Sequence, residues 1–285
     1  MNTLMRPGFI LAMLVTLLLT VGPPAPASSS AGEGNRVVRV PPSALGDVAT
    51  LDLQPIVDLD YSAFRWLELS AADYMSLEAA GIPHEVQEEP FTLRLGEQSF
   101  DPLRDGVTLP EGWDSVQSNG PDLYLVQVVA PTQASWLDTL RAGGLEIVQY
   151  IHPHTYVVWG EPAAVERVAP ANFVRWTGPF APAYRVLPQW RALPDTSLAA
   201  RVLLYRGAGA DAIVQQIEQL GGVVDGRRAL NQIFEQVTLN ISGARFQAVA
   251  QIPGVYSVKP QPTDGGPRGE MSNQVNVNNV DEDNQ

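Results

Sequence analysis

The chain has 285 residues with 18 basic and 31 acidic side chains, a formal net charge of −13. This acidity argues against a nucleic-acid partner, and the hydrophobic content of 45% excludes a wholly disordered chain. Because cysteine is absent, a disulfide framework, cysteine-ligated zinc and a thiol nucleophile are all excluded. The length is that of about two typical domains.

The first residues have the pattern of an export signal. Arg6 precedes an apolar run over residues 9–21, which is too short to span a bilayer comfortably. Ala25 and Ala27 then supply the small side chains of a cleavage site after Ala27. We therefore predict a signal peptide over residues 1–27, with an uncleaved N-terminal anchor as the alternative. We also predict a flexible linker over residues 28–45. The mature protein is expected to be secreted and to have no membrane contact after cleavage.

Charge is distributed unevenly over the remaining chain. Residues 33–122 carry 17 acids and 5 bases, and residues 123–262 carry 9 acids and 11 bases. Residues 263–285 carry 5 acids and 1 base. The pattern predicts an acidic N-terminal α+β unit over residues 46–118, a near-neutral central region and a disordered acidic tail over residues 263–285.

The central region contains a repeated pattern. Residues 123–129 are strand-like, and Thr132 is placed to cap a helix whose apolar positions are Trp136, Leu137 and Leu140. Gly143-Gly144 is a typical helix end. Two further strands, a short helix and a closing strand follow, so that the predicted order is strand–helix–strand–strand–helix–strand.

Residues 200–260 repeat this order. Gly221-Gly222 lies 78 residues after Gly143-Gly144, and Val249 lies 81 residues after Val168. An insertion in the second hairpin reconciles the two spacings. We predict two full units, over residues 122–186 and 198–262.

A partial third copy lies upstream. Residues 64–69 are strand-like, Ser70 and Asp73 resemble a capping box, and Gly81 is placed to end the helix. Residues 82–88 and 91–95 are then expected to pair as strands. Chance similarity between short helix ends is the alternative for this copy.

The predicted fold class is α+β. It consists of tandem ferredoxin-like (βαββαβ) units with antiparallel sheets and helices on one face, preceded by a partial βαβ unit. The opposite face of each sheet must be solvated or must meet a partner.

The chain offers little catalytic chemistry. His84 lies in a probable strand, His152 and His154 flank a turn, and the 207–209 Gly-Ala-Gly segment is favoured as a plain turn over an anion cradle. Residues 281–283 lack the alternating spacing of a calcium loop. We predict no catalytic residue, no cofactor and no metal site.

Several segments together resemble the N-terminal prosegments of secreted bacterial subtilisin-like serine peptidases (subtilases). These are residues 124–127 (YLVQ), 173–176 (FVRW) and 254–258 (GVYSV), with residues 64–69 (FRWLEL), 100–103 (FDPL) and 267–273 (PRGEMSN). The resemblance covers most of residues 60–280.

The resemblance implies a folding chaperone and inhibitor that uses its open sheet face against two surface helices of a protease domain, in cis or in trans. Residues after the second unit would lie in the protease cleft, and Val258, Lys259 and Pro260 would approach it. The chain departs from the family in its two full copies, in its long acidic segment and in lacking the catalytic aspartate, histidine and serine motifs. We therefore expect a prosegment cut from a longer precursor, or a stand-alone relative.

Two other classes of function remain open. One is an extracellular protein-binding module with the same folds but no connection to proteolysis. The other is a regulatory domain that binds a small ligand between paired units.

Overall fold

The computed structural model describes residues 34–114 and 120–262. Across these residues the chain forms three four-stranded antiparallel sheets, one two-stranded hairpin and short helices. The predicted α+β class is confirmed. None of the described helices has the length and apolar character needed to cross a membrane.

The first sheet has the strand order β2-β3-β1-β4. Its elements are β1 (Arg36–Val40), α1 (Leu45–Val48), β2 (Val57–Asp60), β3 (Arg65–Leu69), α2 (Ala71–Ala79) and β4 (Glu85–Val86). The Ser70 hydroxyl accepts a hydrogen bond from the Asp73 amide at 3.1 Å, which confirms the predicted cap of α2.

Two expectations for this region are wrong. The flexible linker predicted over residues 28–45 is wrong from Arg36 onward, because β1 is the central strand that pairs with β3 and β4. The strand at residues 64–69 is therefore the third strand of its sheet rather than the first, and the unit is more than a partial βαβ. The RVVRV sequence of β1 lacks the polar–apolar alternation by which a strand is recognised.

The expected pairing of residues 82–88 with residues 91–95 is also wrong. Glu85–Val86 pairs with β1 instead. A separate hairpin is formed by β5 (Leu93–Leu95) and β6 (Gln98–Phe100). Gly96 has a φ of 64° in the tight turn between them, a conformation that glycine adopts without steric cost.

The middle sheet has the strand order β10-β7-β9-β8. Its elements are β7 (Asp122–Val128), α3 (Ala134–Ala142), β8 (Glu146–Ile151), β9 (Thr155–Gly160), α4 (Pro162–Val168) and β10 (Val174–Pro179). Helix α3 begins one residue later than predicted, with Gln133 rather than Thr132 at the N-cap, and it has no side-chain cap. Thr132 instead accepts a hydrogen bond from the Tyr156 hydroxyl at 3.0 Å.

The third sheet has the strand order β12-β13-β11-β14. A short helix, α5 (Pro182–Arg185), leads to it. Its elements are β11 (Ser197–Tyr205), α6 (Ala210–Gln219), β12 (Val223–Ala229), β13 (Phe234–Ser242), α7 (Phe246–Ala250) and β14 (Val255–Pro260).

Each sheet packs its helices on one face. Val38, Val40 and Leu67 of the first sheet contact the helical residues Val48 and Leu77 in one buried cluster. The middle and third sheets have equivalent clusters, in which Val126 packs with Leu140 and Val202 packs with Ile217. The face opposite the helices is called the helix-free face below.

The hairpin β5–β6 packs on the helix-free face of the middle sheet. Leu93, Leu95 and Phe100 share a buried cluster with Leu125 and Val157. The hairpin therefore belongs structurally to the middle sheet, although the linear charge pattern assigns it to the acidic N-terminal unit.

Leu125→Ala tests this packing. Leu125 is fully buried, so its truncation is expected to lower the free energy of unfolding by about 2–5 kcal/mol through lost burial and a residual cavity. Met75→Ala removes a side chain that is 65% exposed and should change stability by less than about 0.5 kcal/mol. Urea titration followed by circular dichroism measures both, and equal effects would contradict the assigned packing.

Candidate interaction surface

The helix-free face of the first sheet is covered by the middle unit. Val37 and Trp66 belong to the same apolar cluster as Val129. The Trp66 ring meets the His154 ring edge-on at 5.3 Å between centroids. The Tyr61 hydroxyl donates a hydrogen bond to the Pro131 carbonyl.

The helix-free face of the middle sheet is covered by the third unit as well as by the hairpin. Leu123 and Trp159 share their cluster with Tyr205 and with the flanking Phe234. The Trp159 and Tyr205 rings lie 5.7 Å apart, and the Tyr205 hydroxyl donates to the Glu146 carboxylate.

The two contacts use the same part of the incoming unit. In the middle unit, the covering residues come from the end of β7 and from the β8–β9 turn. In the third unit, they come from the end of β11 and the β12–β13 turn. Each helix-free face thus receives the tip of the next unit along the chain.

A buried ion pair fixes the segment after the hairpin to the middle sheet. Arg175 donates to both carboxylate oxygens of Asp101 at 2.7 and 2.9 Å, and to Gln127 Oε1 at 2.7 Å. The guanidinium lies over the Phe91 ring at 4.0 Å. The β10–β7 register shifts between Val174 and Trp176, and such bulges re-aim a side chain, here that of Arg175.

A second buried ion pair joins the middle and third units. Arg185 Nη2 lies 3.1 and 3.2 Å from the two Asp122 oxygens, while the other guanidinium nitrogens donate to the carbonyls of Phe180, Ala250 and Ile252. Burial lowers the pKa of Arg185, and the Asp122 carboxylate opposes that shift.

Both carboxylate oxygens of Asp122 have hydrogen-bond partners in this arrangement. Its Oδ1 also accepts hydrogen bonds from the Leu123 amide at 2.7 Å and the Gly254 amide at 3.2 Å. Because Asp122 begins β7 and Gly254 immediately precedes β14, this one side chain links an inner strand of the middle unit to the start of β14 in the third unit.

The helix-free face of the third sheet is accessible except at the end that carries Tyr205 and Phe234, which packs on the middle unit. Across its strands, cross-strand pairs place Leu203 beside Gln236 and Ser257, and Arg201 beside Thr238 and Lys259. These side chains are partly or fully exposed, and none belongs to a buried cluster of the described residues. This is the candidate interaction surface, and we call it the third-sheet face.

The third-sheet face is cationic. Arg201 and Lys259 lie directly opposite each other on β11 and β14, and Arg228 lies on β12 opposite Gln236. None of the three forms an ion pair within residues 34–114 and 120–262. Like charges directly opposite each other destabilise a sheet, so this face suits a partner that brings negative charge.

The three residues predicted to approach a protease cleft lie together on β14. Val258 is 1% exposed and points into the helix-side core, whereas the Lys259 side chain is exposed on the third-sheet face. Pro260 ends the strand. Their approach to a cleft stays a prediction, and Ala25 and Ala27 lie outside the described residues.

The residues considered for other chemistry are dispersed. His84 Nδ1 donates to the Ile82 carbonyl at 2.8 Å and the ring lies near Glu78, while His154 packs against the Trp66 and Phe91 rings. Residues 206–208 form a short 3-10 turn before α6. No group of three or more potential metal ligands occurs in the part of the chain that the structure describes.

A groove of about 610 Å³ lies beside edge strand β10. Its lining includes Tyr124, Val165, Pro170 and Thr177, with Glu166 as its charged residue. Because β10 has a neighbour on one side only, its outer backbone groups are available to an extended peptide. Sequence patterns did not indicate this groove, since it arises where α4 meets the sheet edge.

Comparison with known proteins gives one similarity. A family model described as a domain of unknown function (DUF8729) matches residues 94–181, which is under a third of the chain. The match spans most of the β5–β6 hairpin and the whole middle sheet. No curated protein matches the chain.

Asp122→Ala tests the ion pair that joins the middle and third units. Removing the carboxylate leaves the buried Arg185 without its counter-charge, and the free energy of unfolding should fall by about 3–5 kcal/mol. Asp138→Ala breaks an exposed pair with Arg141 and should cost less than about 1 kcal/mol. Denaturant unfolding measures both variants. If Asp122→Ala lowers the free energy of unfolding by less than about 1 kcal/mol, the pair does not stabilise the junction between the two units.

His154 makes stability depend on pH. Burial lowers its pKa to about 4 from the usual 6.5, so the unfolded chain binds this proton more readily. Stability is therefore complete above pH 6.5 and is lost as the pH falls towards 4, by about 2 kcal/mol between pH 7 and pH 5. His154→Asn should flatten this part of the curve, whereas His152→Asn on the exposed side of the turn should retain most of it. Identical curves for all three proteins would be inconsistent with the assignment.

Proposed function

We propose that this chain is a secreted, non-catalytic prosegment that assists folding of, and inhibits, a subtilisin-like serine endopeptidase, encoded in cis or in trans. The residues 173–176 and 254–258 that resemble subtilase prosegments form strands of the middle and third sheets or adjoin them. The absence of a catalytic constellation from the sequence agrees with a binding role.

We further propose that residues 122–186 and 198–262 are tandem ferredoxin-like units. The β-α-β-β-α-β element order of each supports this, as do the equivalent strand orders β10-β7-β9-β8 and β12-β13-β11-β14. The first sheet has the same strand order with a very short first helix. This supports a third member of the series.

The observation that carries the functional proposal is that the three helix-free faces are covered to different extents. Among the described residues, the first and middle faces are covered from within the chain, whereas the third-sheet face is accessible. The third unit is thus the one suited to meet the protease. The middle unit then holds the third unit in a fixed orientation through the ion pair of Arg185 and Asp122.

The position of β14 supports the inhibitory part of the proposal. It is an edge strand, and the chain leaves it at residue 260, next to the exposed Lys259. A partner docked on the third-sheet face would therefore have the following residues within reach of its cleft. Val258 would hold the strand in place through the core, and Lys259 and Pro260 would mark the exit towards the cleft.

A second candidate function is an extracellular protein-binding module unrelated to proteolysis. The groove beside β10 favours it, because an apolar trough along an edge strand fits peptide binding by strand addition. This site lies on the middle unit and does not involve the third-sheet face.

Inhibition assays with the full chain test the leading proposal. At 1–10 µM it should inhibit members of a panel of secreted subtilisin-like endopeptidases acting on a chromogenic peptide. Arg201→Glu, at the centre of the third-sheet face, should raise the half-inhibitory concentration at least tenfold, because a central charge reversal removes a contact of hot-spot size.

Arg245→Glu is the matched control, since Arg245 is exposed, has no ion pair among the described residues and lies on the helix side of the third unit. It should inhibit like the unaltered chain. A folded chain that inhibits no member of the panel at 10 µM would contradict the proposal. If Glu166→Arg weakens inhibition and Arg201→Glu does not, the protease-binding site would be assigned to the β10 groove instead.

A further inference from the structure

We infer that the acidic segment 263–285 of this same chain folds back onto the third-sheet face and covers it until a partner displaces it. Such a contact would make the docking surface self-inhibited. The contact itself does not require the partner to be a protease, and only its regulatory meaning rests on the proposed function.

The first argument is the charge of the face. Arg201, Lys259 and Arg228 lie within two strand spacings of Leu203, and no described carboxylate pairs with them. Asp225, an exposed acid beside this face, accepts a hydrogen bond from the neutral Asn240 amide at 2.6 Å and forms no ion pair among the described residues, so it offsets one of the three positive charges. Three cations against one carboxylate leave the face with a net positive charge, which favours a counter-charge from elsewhere.

The second argument is the distribution of the other unpaired arginines. Arg36 is exposed at the start of β1 in the first sheet, and Arg206 and Arg245 are exposed singly at two turns of the third unit. Arg167 donates to the Gly143 carbonyl at the end of α3. The third-sheet face is where such cations come together, so an acidic segment would be drawn to it in preference to those sites.

The third argument is the composition of the segment. Residues 263–285 carry Asp264, Glu270 and the run 281–283, against Arg268 as their single base. Val275 and Val277 alternate with polar residues, and this pattern offers one apolar side. That side matches the partly exposed Leu203 between the cations.

The fourth argument is reach. The segment begins three residues after β14, which borders the face. Four strands span only about 15 Å, at roughly 4.8 Å between neighbours. The 18 residues from 263 to 281 extend to about 60 Å. The run 281–283 can therefore return to any part of the face.

The fifth argument is precedent within the molecule. The helix-free faces of the first and middle sheets are both covered by other segments of the chain. Covering the third face from within the chain continues that arrangement. Because the cover here is charged rather than apolar, a partner can displace it more easily.

The chemistry of the chain supplies a direct test. Lys259 is the only lysine, so a water-soluble carbodiimide that joins amines to carboxylates reports on Lys259 alone among the side chains. In the full-length protein, cross-links from Lys259 to residues 281–283 are quantified by mass spectrometry of proteolytic peptides. The cross-link to Asp264, five residues away, serves as an internal reference for the reactivity of Lys259.

Charge variants then separate a docked segment from a freely moving one. The double variant Arg201→Gln, Arg228→Gln removes two cations of the face and keeps Lys259. We expect it to lower the ratio of the 281–283 cross-links to the Asp264 cross-link at least threefold. The control Arg206→Gln, Arg245→Gln makes the same change of net charge away from the face and should leave the ratio unchanged.

Equal ratios in the two double variants would overturn the inference. Mixing heavy-isotope and ordinary chains identifies links between molecules, and predominantly hybrid cross-links would overturn it in favour of a second copy on the face. No protease is present, so failure here is distinguishable from failure of the inhibition assay.

Discussion

The arrangement of the units depends on the buried pair of Arg185 and Asp122. The guanidinium joins the start of β7 to the carbonyls before β14, and the carboxylate in turn holds the Gly254 amide. A buried charge is costly unless its partners are in place, so the orientation of the third unit relative to the middle unit has little freedom. With that orientation, Arg201, Leu203 and Lys259 on the third-sheet face stay outside the buried clusters of the described residues.

The remaining contacts between units follow one rule, in which a sheet buries the face that its own helices leave open. Tyr61, Trp66 and His154 do this between the first and middle units, and Trp159, Phe180 and Tyr205 do it between the middle and third. The faces differ in composition. The middle face is apolar and closed, while the last is cationic and accessible, and this difference separates a structural surface from a recognition surface.

Much of the middle and third units was predictable from sequence, because helix periodicity and the paired glycines are local signals. The apolar helix faces that contain Leu140 in α3 and Ile217 in α6 are examples. The first sheet was misjudged because its central strand, RVVRV, is buried on both faces and shows no alternation. The roles of Arg175, Arg185 and Asp101 depend on partners up to 74 residues away, which no local pattern specifies. The cationic face likewise appears only when the register places Arg201 beside Lys259.

The hairpin β5–β6 has a consequence for the order in which the chain is made. Leu93, Leu95 and Phe100 are synthesised about 60 residues before Val157 and Trp159, the residues they cover. At 5–20 residues per second, roughly 3–12 s separate their emergence from the ribosome. During that interval Leu125 is already present, but the β9 residues that complete the cover of these three side chains are not. The nascent chain therefore exposes part of this apolar surface until β9 is made and the middle sheet closes.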